Sequence, residues 1–130
     1  MEERFKETSH ILIVDDDENL RLSFKMFLAK DGYCNISDVS TCEEALKIIS
    51  TQNVDLIFCD IFLKGTSGME VLRQVKKMGL KSPVIMITGA PSNETTSESK
   101  RLGAFKYMHK PVKKDEFLRI AYMALQQHNS

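Results

Sequence analysis

Carboxylates close two apolar runs in this 130-residue chain. Asp15, Asp16 and Asp17 follow Ile11-Leu12-Ile13-Val14, and Asp60 follows Leu56-Ile57-Phe58-Cys59. Apolar runs of strand length, without polar alternation, read as strands buried on both faces of a parallel sheet. Strands of such a sheet point the same way, so their C-terminal ends bring the acids to one edge, where open α/β folds bind ligands. Carboxylates crowded there repel one another and imply a hard divalent counter-ion. Thr88 ends a further run, Val84-Ile85-Met86-Ile87, and adds a hydroxyl; Lys110 ends a fifth strand, about 105–108, and adds an ammonium. Acids, a cation, a hydroxyl and an ammonium around one cleft make a phosphoryl-binding set. A carboxylate nucleophile in such a set forms an aspartyl-phosphate.

Each residue alone has a plainer role. One of the three adjacent acids, Asp17 above all, suits an N-cap of the following helix. Thr88 suits a turn at a strand end, and Lys110 before Pro111 suits a surface lysine. Asp60 resists such a reading. Set between Cys59 and Ile61-Phe62-Leu63, it would be buried without a local partner, which is costly. Four strand ends together favour function.

The elements that must position these residues alternate strand and helix from end to end. Strands are expected at about 10–14, 33–39, 55–59, 84–88 and 105–108, the second being a polar edge strand. Helices are expected at about 19–30, with the stripe Leu20, Phe24, Phe27 and Leu28; from Ser40, which with Glu43 makes a capping box, carrying Cys42, Ala45, Leu46 and Ile49 inward; after a Gly-containing loop at 64–68, with Val71, Leu72 and Val75 inward; at about 93–102; and at about 115–127, burying some of Phe117, Leu118, Ala121 and Leu125. The fourth helix, Asn-Glu-Thr-Thr-Ser-Glu-Ser-Lys, has low propensity and almost no apolar stripe, as a solvated face or a loosely held segment would. Right-handed crossovers make this α/β fold a doubly wound, five-stranded parallel sheet with helices on both faces. Placing the two acid-tipped strands side by side at a switch point gives the flavodoxin-like order 2-1-3-4-5.

Composition narrows the field. Eighteen basic and eighteen acidic residues cancel, so no global charge draws the chain to nucleic acid or anionic membrane. No run approaches membrane-spanning length, and the opening residues are too polar for a secretory signal. Three cysteines without metal-ligand spacing suit a reducing cytoplasm. Residues 10–127 form one expected domain, with a polar tail at 1–9 and a short tail at 128–130.

At these residues the chain resembles the CheY-like receiver domain of two-component response regulators. The resemblance rests on Ile11-Leu-Ile-Val-Asp15-Asp16-Asp17, Asp55-Leu-Ile-Phe-Cys-Asp60-Ile-Phe-Leu, Gly68-Met-Glu-Val-Leu, Val84-Ile-Met-Ile-Thr88-Gly-Ala90 and Gly103-Ala-Phe-Lys-Tyr107-Met-His-Lys110-Pro111. It implies that Asp60 takes a phosphoryl group from a histidine kinase or phosphotransfer protein. It also implies magnesium held by Asp16, Asp60 and the backbone carbonyl of Phe62, with Asp15 acting through water. Lys110 would bridge to the phosphoryl group, Thr88 would turn inward to bond it, and Tyr107 would swing inward in response. The Lys110–Pro111 peptide matches one that is cis in the family. The fourth helix, fifth strand and fifth helix would then change, which favours mobility in the fourth helix and offers a face for a partner, an output domain or a second copy. Such a domain is a switch and not a turnover enzyme; at most it phosphorylates itself from small donors and dephosphorylates itself.

The chain departs from the pattern in places. Lys64 stands where the family often has proline. Phe62 and Ala90, at positions that tune water access to the aspartyl-phosphate, are apolar, so slow self-dephosphorylation is expected, and Phe62→Asn should speed it. Lys113-Lys114 open the last helix without a firm cap, leaving Asp115 to serve. Tyr122 and Met123 suit a contact face or the core edge. Two rivals are weighed. Asp15-x-Asp17 has the form of the haloacid-dehalogenase-like phosphohydrolase motif, with Asp15 as nucleophile, but Thr88-Gly89-Ala90 lacks the further acids such enzymes carry. A flavodoxin-like FMN module shares the strand order, but three acids would repel its phosphate. The kinase, the output and any further domain are not readable from these residues.

Overall fold

A computed structural model describes residues 4–129. In chain order the elements are α1 (Phe5–Thr8), β1 (His10–Val14), α2 (Glu18–Lys30), β2 (Asn35–Val39), α3 (Cys42–Thr51) and β3 (Leu56–Asp60). A hairpin of β4 (Phe62–Leu63) and β5 (Thr66–Ser67) follows, then α4 (Met69–Lys77), β6 (Val84–Thr88), α5 (Asn93–Arg101), β7 (Lys106–His109) and α6 (Lys114–His128). The main sheet is parallel, in the order β2-β1-β3-β6-β7, which is the expected doubly wound arrangement.

Every residue of β1, β3 and β6 is buried, because these central strands are covered on both faces. Their side chains alternate between two cores. Leu12, Val14, Ile57, Cys59, Val84 and Met86 meet α3 and α4, while Ile11, Ile13, Leu56, Phe58, Ile85 and Ile87 meet α2 and α6. On the second face Phe117 lies 4.4 Å from both the Phe24 and Phe58 rings, a stack that joins α6, α2 and β3. Truncating such a buried ring costs about 3–5 kcal/mol. The edge strands β2 and β7 are only partly buried, consistent with their polar sequences.

Three local expectations change. Thr41, not Ser40, caps α3: its Oγ1 accepts from the Glu44 N–H, and Glu44 Oε1 accepts from the Ser40 N–H. The box is Thr41 with Glu44 because the helix phase is set by burying Cys42, Ala45 and Ile49. Asp115 does not cap α6; Lys113 is the N-cap without a side-chain bond, and Asp115 sits in the first turn, where its charge favours the helix's positive end. Strand two begins at Asn35, because Tyr33 still completes the end of α2, its N–H donating to the Leu28 carbonyl past Gly32 at φ +103°.

Two elements have no counterpart in the periodicity. Within the polar N-terminal stretch, α1 buries the Lys6 stem, its ammonium 3.3 Å from Asp31 Oδ2 and above the Tyr33 and Tyr122 rings. Phe5 meets the Tyr122 ring edge-on, so Tyr122 is packed and Met123 is left exposed. Residues 1–3 and 130 of the expected tails lie outside the described residues. The second such element is the hairpin, considered with the site below. Cys42 and Cys59 are buried free thiols and Cys34 is exposed. Among the described residues, no helix is long and apolar enough to cross a membrane.

Candidate functional site

The acids meet where the pattern of strand ends required. Val14 and Cys59 are register partners on adjacent strands, so Asp15 and Asp60 leave the sheet side by side. Both are buried, Asp16 is half-buried, and one carboxylate oxygen from each of the three lies within 4.8 Å of the others. Asp17 turns away and caps α2, accepting from the N–H groups of Asn19 and Leu20.

Lys110 reaches the acids from the end of β7. Its Nζ lies 3.0 Å from Asp15 Oδ2 and 3.0 Å from Asp60 Oδ2. The Lys110 N–H donates to the Thr88 carbonyl, which sets the lysine beside the end of β6, and Lys110–Pro111 is cis. One ammonium thus serves two buried carboxylates, and the electrostatics follow. Burial pushes the Asp60 carboxyl above its ordinary value, and the Asp15 charge pushes the same way; the hydrogen bonds from Lys110 and Phe62 only partly offset this. Burial works against the Lys110 ammonium, but Asp15 and Asp60 outweigh it and hold its pKa above the ordinary 10.5. The cluster therefore carries excess negative charge. Three oxygen-bearing groups and no nitrogen or sulfur ligand suit a hard cation such as magnesium.

Backbone donors orient each acid. The Asp17 N–H lies 2.9 Å from Asp15 Oδ1, the Phe62 N–H 3.3 Å from Asp60 Oδ1, and the Lys64 N–H 3.1 Å from Asp16 Oδ2. The last two donors belong to the β4–β5 hairpin, which carries the exposed Phe62 ring at the rim of the site.

Thr88 is fully buried, and its Oγ1 accepts from the Ala90 N–H at 3.0 Å, so the turn role weighed for it is present. Tyr107 is half-buried and its hydroxyl lies 2.8 Å from Thr95 Oγ1, tying β7 to the first turn of α5. Ala90 is exposed.

Two residues at the site carried no such role in the sequence reading. Arg21 donates from Nη1 to the Asp15 carbonyl at 2.7 Å and from Nε to Asp38 Oδ2 at 2.9 Å, bracing the acid-bearing loop against β2. Burial opposes the charge of Asp38, but hydrogen bonds from Lys25 and Arg21 prevail and hold its carboxyl below the ordinary range. Gly68 donates to the Ile61 carbonyl, and a Cβ there would meet the Asp60 backbone carbonyl and lie 2.9 Å from Cys59 Sγ. Only glycine lets the chain pass so close to Asp60. Gly68 entered the sequence reading only within the motif Gly68-Met-Glu-Val-Leu, without a stated role; a lone arginine on a polar helix face gives no signal.

Residues 11–122 match the family described as the response regulator receiver domain. The chain is 33% identical over 105 residues to the transcriptional regulatory protein YvrH of Bacillus subtilis, covering 81% of this chain and 44% of that protein. Among solved structures, it resembles a CheY-like response regulator receiver domain protein from Methanospirillum hungatei, with TM-score 0.87 and 32% identity, covering 93% of this chain and 96% of that one. It also resembles NtrX from Brucella abortus, with TM-score 0.84 and 31% identity, covering 93% of this chain and 27% of that one. The chain spans about half or less of the curated relatives it matches.

Proposed function

Because this chain belongs to the response regulator receiver domain family, we propose that it is a phosphorylation switch whose phosphoacceptor is Asp60. The observation that carries this reading is the single Lys110 ammonium set 3.0 Å from both Asp15 and Asp60 at one sheet edge. A carboxylate oxygen of Asp60 attacks the phosphorus of a phosphohistidine on a histidine kinase or phosphotransfer protein. The P–O bond forms as the P–N bond breaks, and the imidazole nitrogen keeps the bonding pair. Magnesium, when bound, supplies the positive charge that offsets the acids and the phosphoryl oxygens. Asp16, Asp60 and the Phe62 backbone carbonyl would hold it, with Asp15 acting through water.

The residues of the chain then rearrange. Lys110 exchanges an Asp60 oxygen for a phosphoryl oxygen, keeping a charge-assisted bond. Thr88 gives up the Ala90 N–H and turns its hydroxyl to the new acceptor. The volume it leaves is taken by Tyr107, which gives up Thr95. The face formed by α5, β7 and α6 thereby changes shape toward a partner, an output domain or a second copy of the chain. The switching unit is residues 10–127. The apolar Phe62 and Ala90 side chains offer no hydrogen bond to an attacking water, so the phosphorylated state is long-lived.

The test is phosphorylation by acetyl phosphate in the presence of magnesium, read by intact mass. The parent gains one phosphoryl group and Asp60→Asn gains none. Phosphorylation that survives in Asp60→Asn and is lost in Asp15→Asn would move the nucleophile to Asp15, as in the phosphohydrolase alternative. Amide exchange across residues 93–102 should change on addition of beryllofluoride; unchanged exchange removes α5 from the switch.

A further inference from the structure

We propose that the backbone N–H of Lys64 is the positioning group for Asp16, so that the β4–β5 hairpin, and not the acid loop alone, sets the affinity of the site for a divalent cation. This inference rests on the metal reading above and asks what holds one of its ligands. The three acids differ in how they are held. Asp15 and Asp60 each accept from an N–H two residues further along the chain, bonds that come with the local turn. Each also has its second oxygen on Lys110. Asp16 has neither aid. Its Oδ2 accepts from Lys64, 48 residues away, and its Oδ1 has no partner among the described residues. Asp16 is also the least buried of the three, so packing restrains it least. One remote N–H therefore restrains one carboxylate oxygen and leaves the other to face the site.

The hairpin is built to deliver that donor. Leu63 pairs with Thr66, so Lys64 and Gly65 are the two turn residues. Gly65 has φ +79° and no described non-glycine residue has positive φ, which is the sign pattern of a type II turn. Proline is well accommodated at its first central position, and the extended Leu63 before it suits that too. Lys64→Pro therefore removes the donor without displacing the turn. Lys64→Ala removes the exposed side chain and keeps the donor. Outer groups that orient a metal ligand typically contribute 10–100-fold in affinity.

The test is calorimetric titration of the whole chain with magnesium chloride, with thermal melts of each variant. Lys64→Pro should bind magnesium about 10-fold more weakly than the parent, and Lys64→Ala as tightly as the parent. Parent-like affinity in Lys64→Pro, or equal weakening in both variants, overturns the proposal and leaves the metal site standing. A parent chain that binds no magnesium overturns both. Should Lys64→Pro fail to fold, Asp16→Ala tests the bond from its other end. The Lys64 amide should then exchange faster with solvent; an unchanged rate overturns the proposal.

Discussion

Two helices of nine residues, α4 and α5, follow one another over the same side of the sheet, and they are held by different forces. In α4, Met69, Val71, Leu72 and Val75 are buried, so the helix is fixed by packing against β3, β6 and α3. In α5 the one buried side chain is Ser99, whose hydroxyl lies 3.7 Å from Met69 Sδ. The rest of its attachment is polar. Ser92 caps it, Tyr107 holds Thr95, and Arg73 of α4 reaches Glu98 at 2.6 Å. Apolar burial has no substitute partner, whereas a hydroxyl or an ion pair can be exchanged for water or a new acceptor at small net cost. A helix held by exchangeable contacts is the easier one for a charge placed at the end of β3 to shift, and one held by packing is the harder to move.

The largest test of this contrast is truncation inside each helix. Leu72→Ala should cost about 3 kcal/mol in urea unfolding, while Ser99→Ala should cost under about 1 kcal/mol, since an apolar replacement leaves no unmet partner. Equal costs would break the comparison.

A second test changes the charge at the acid cluster while leaving the packing of both helices alone. Asp60→Asn should stabilise the chain at neutral pH, because it removes a buried charge that desolvation disfavours. The sign follows from the upward shift of Asp60: its favourable contribution is complete below the ordinary value of 3.8 and is lost as pH rises through the raised folded value. Asp38, shifted downward, acts oppositely, its stabilisation being present above 3.8 and lost as pH falls. Urea midpoints of the parent, Asp60→Asn and Asp38→Asn from acid to neutral pH check both signs.

Removing the cap of α5 sharpens the contrast further. Ser92→Ala should cost about 1 kcal/mol or less, seen as faster amide exchange confined to residues 93–101 with α4 unchanged. Exchange that rises equally in both helices would mean that they open as one unit. The smallest effect is expected for Arg73→Met, which removes an exposed pair worth about 0.2–1 kcal/mol; its mark should again be faster exchange in α5 and not in α4.

Much of the fold was legible because it rests on composition along short windows. Ile11–Val14, Leu56–Cys59 and Val84–Ile87 are apolar without interruption, which suits only strands covered on both faces. The acids at the ends of the first two were legible for the same reason, since Asp60 contradicts the run that precedes it. The hairpin of Phe62–Leu63 and Thr66–Ser67 was not, because two-residue strands have no measurable period. Nor was α1, whose Phe-Lys-Glu-Thr carries no stripe and is placed by the Tyr33 and Tyr122 rings it meets. The cap of α3 was read one residue early because Ser40 and Thr41 are both capping residues, and only burial of Ala45 and Ile49 chooses between them.

By itself, then, the sequence determined the strand order, the edge where the acids gather and the weakness of α5, because each is written in residue type and spacing. The tertiary structure decided which groups hold the site in register. Lys110 between Asp15 and Asp60, Gly68 against the Asp60 carbonyl, Arg21 on the Asp15 carbonyl and the Lys64 N–H on Asp16 join residues far apart in the chain or act through backbone atoms. A backbone N–H is the same in almost every residue, so no residue type announces where it will donate.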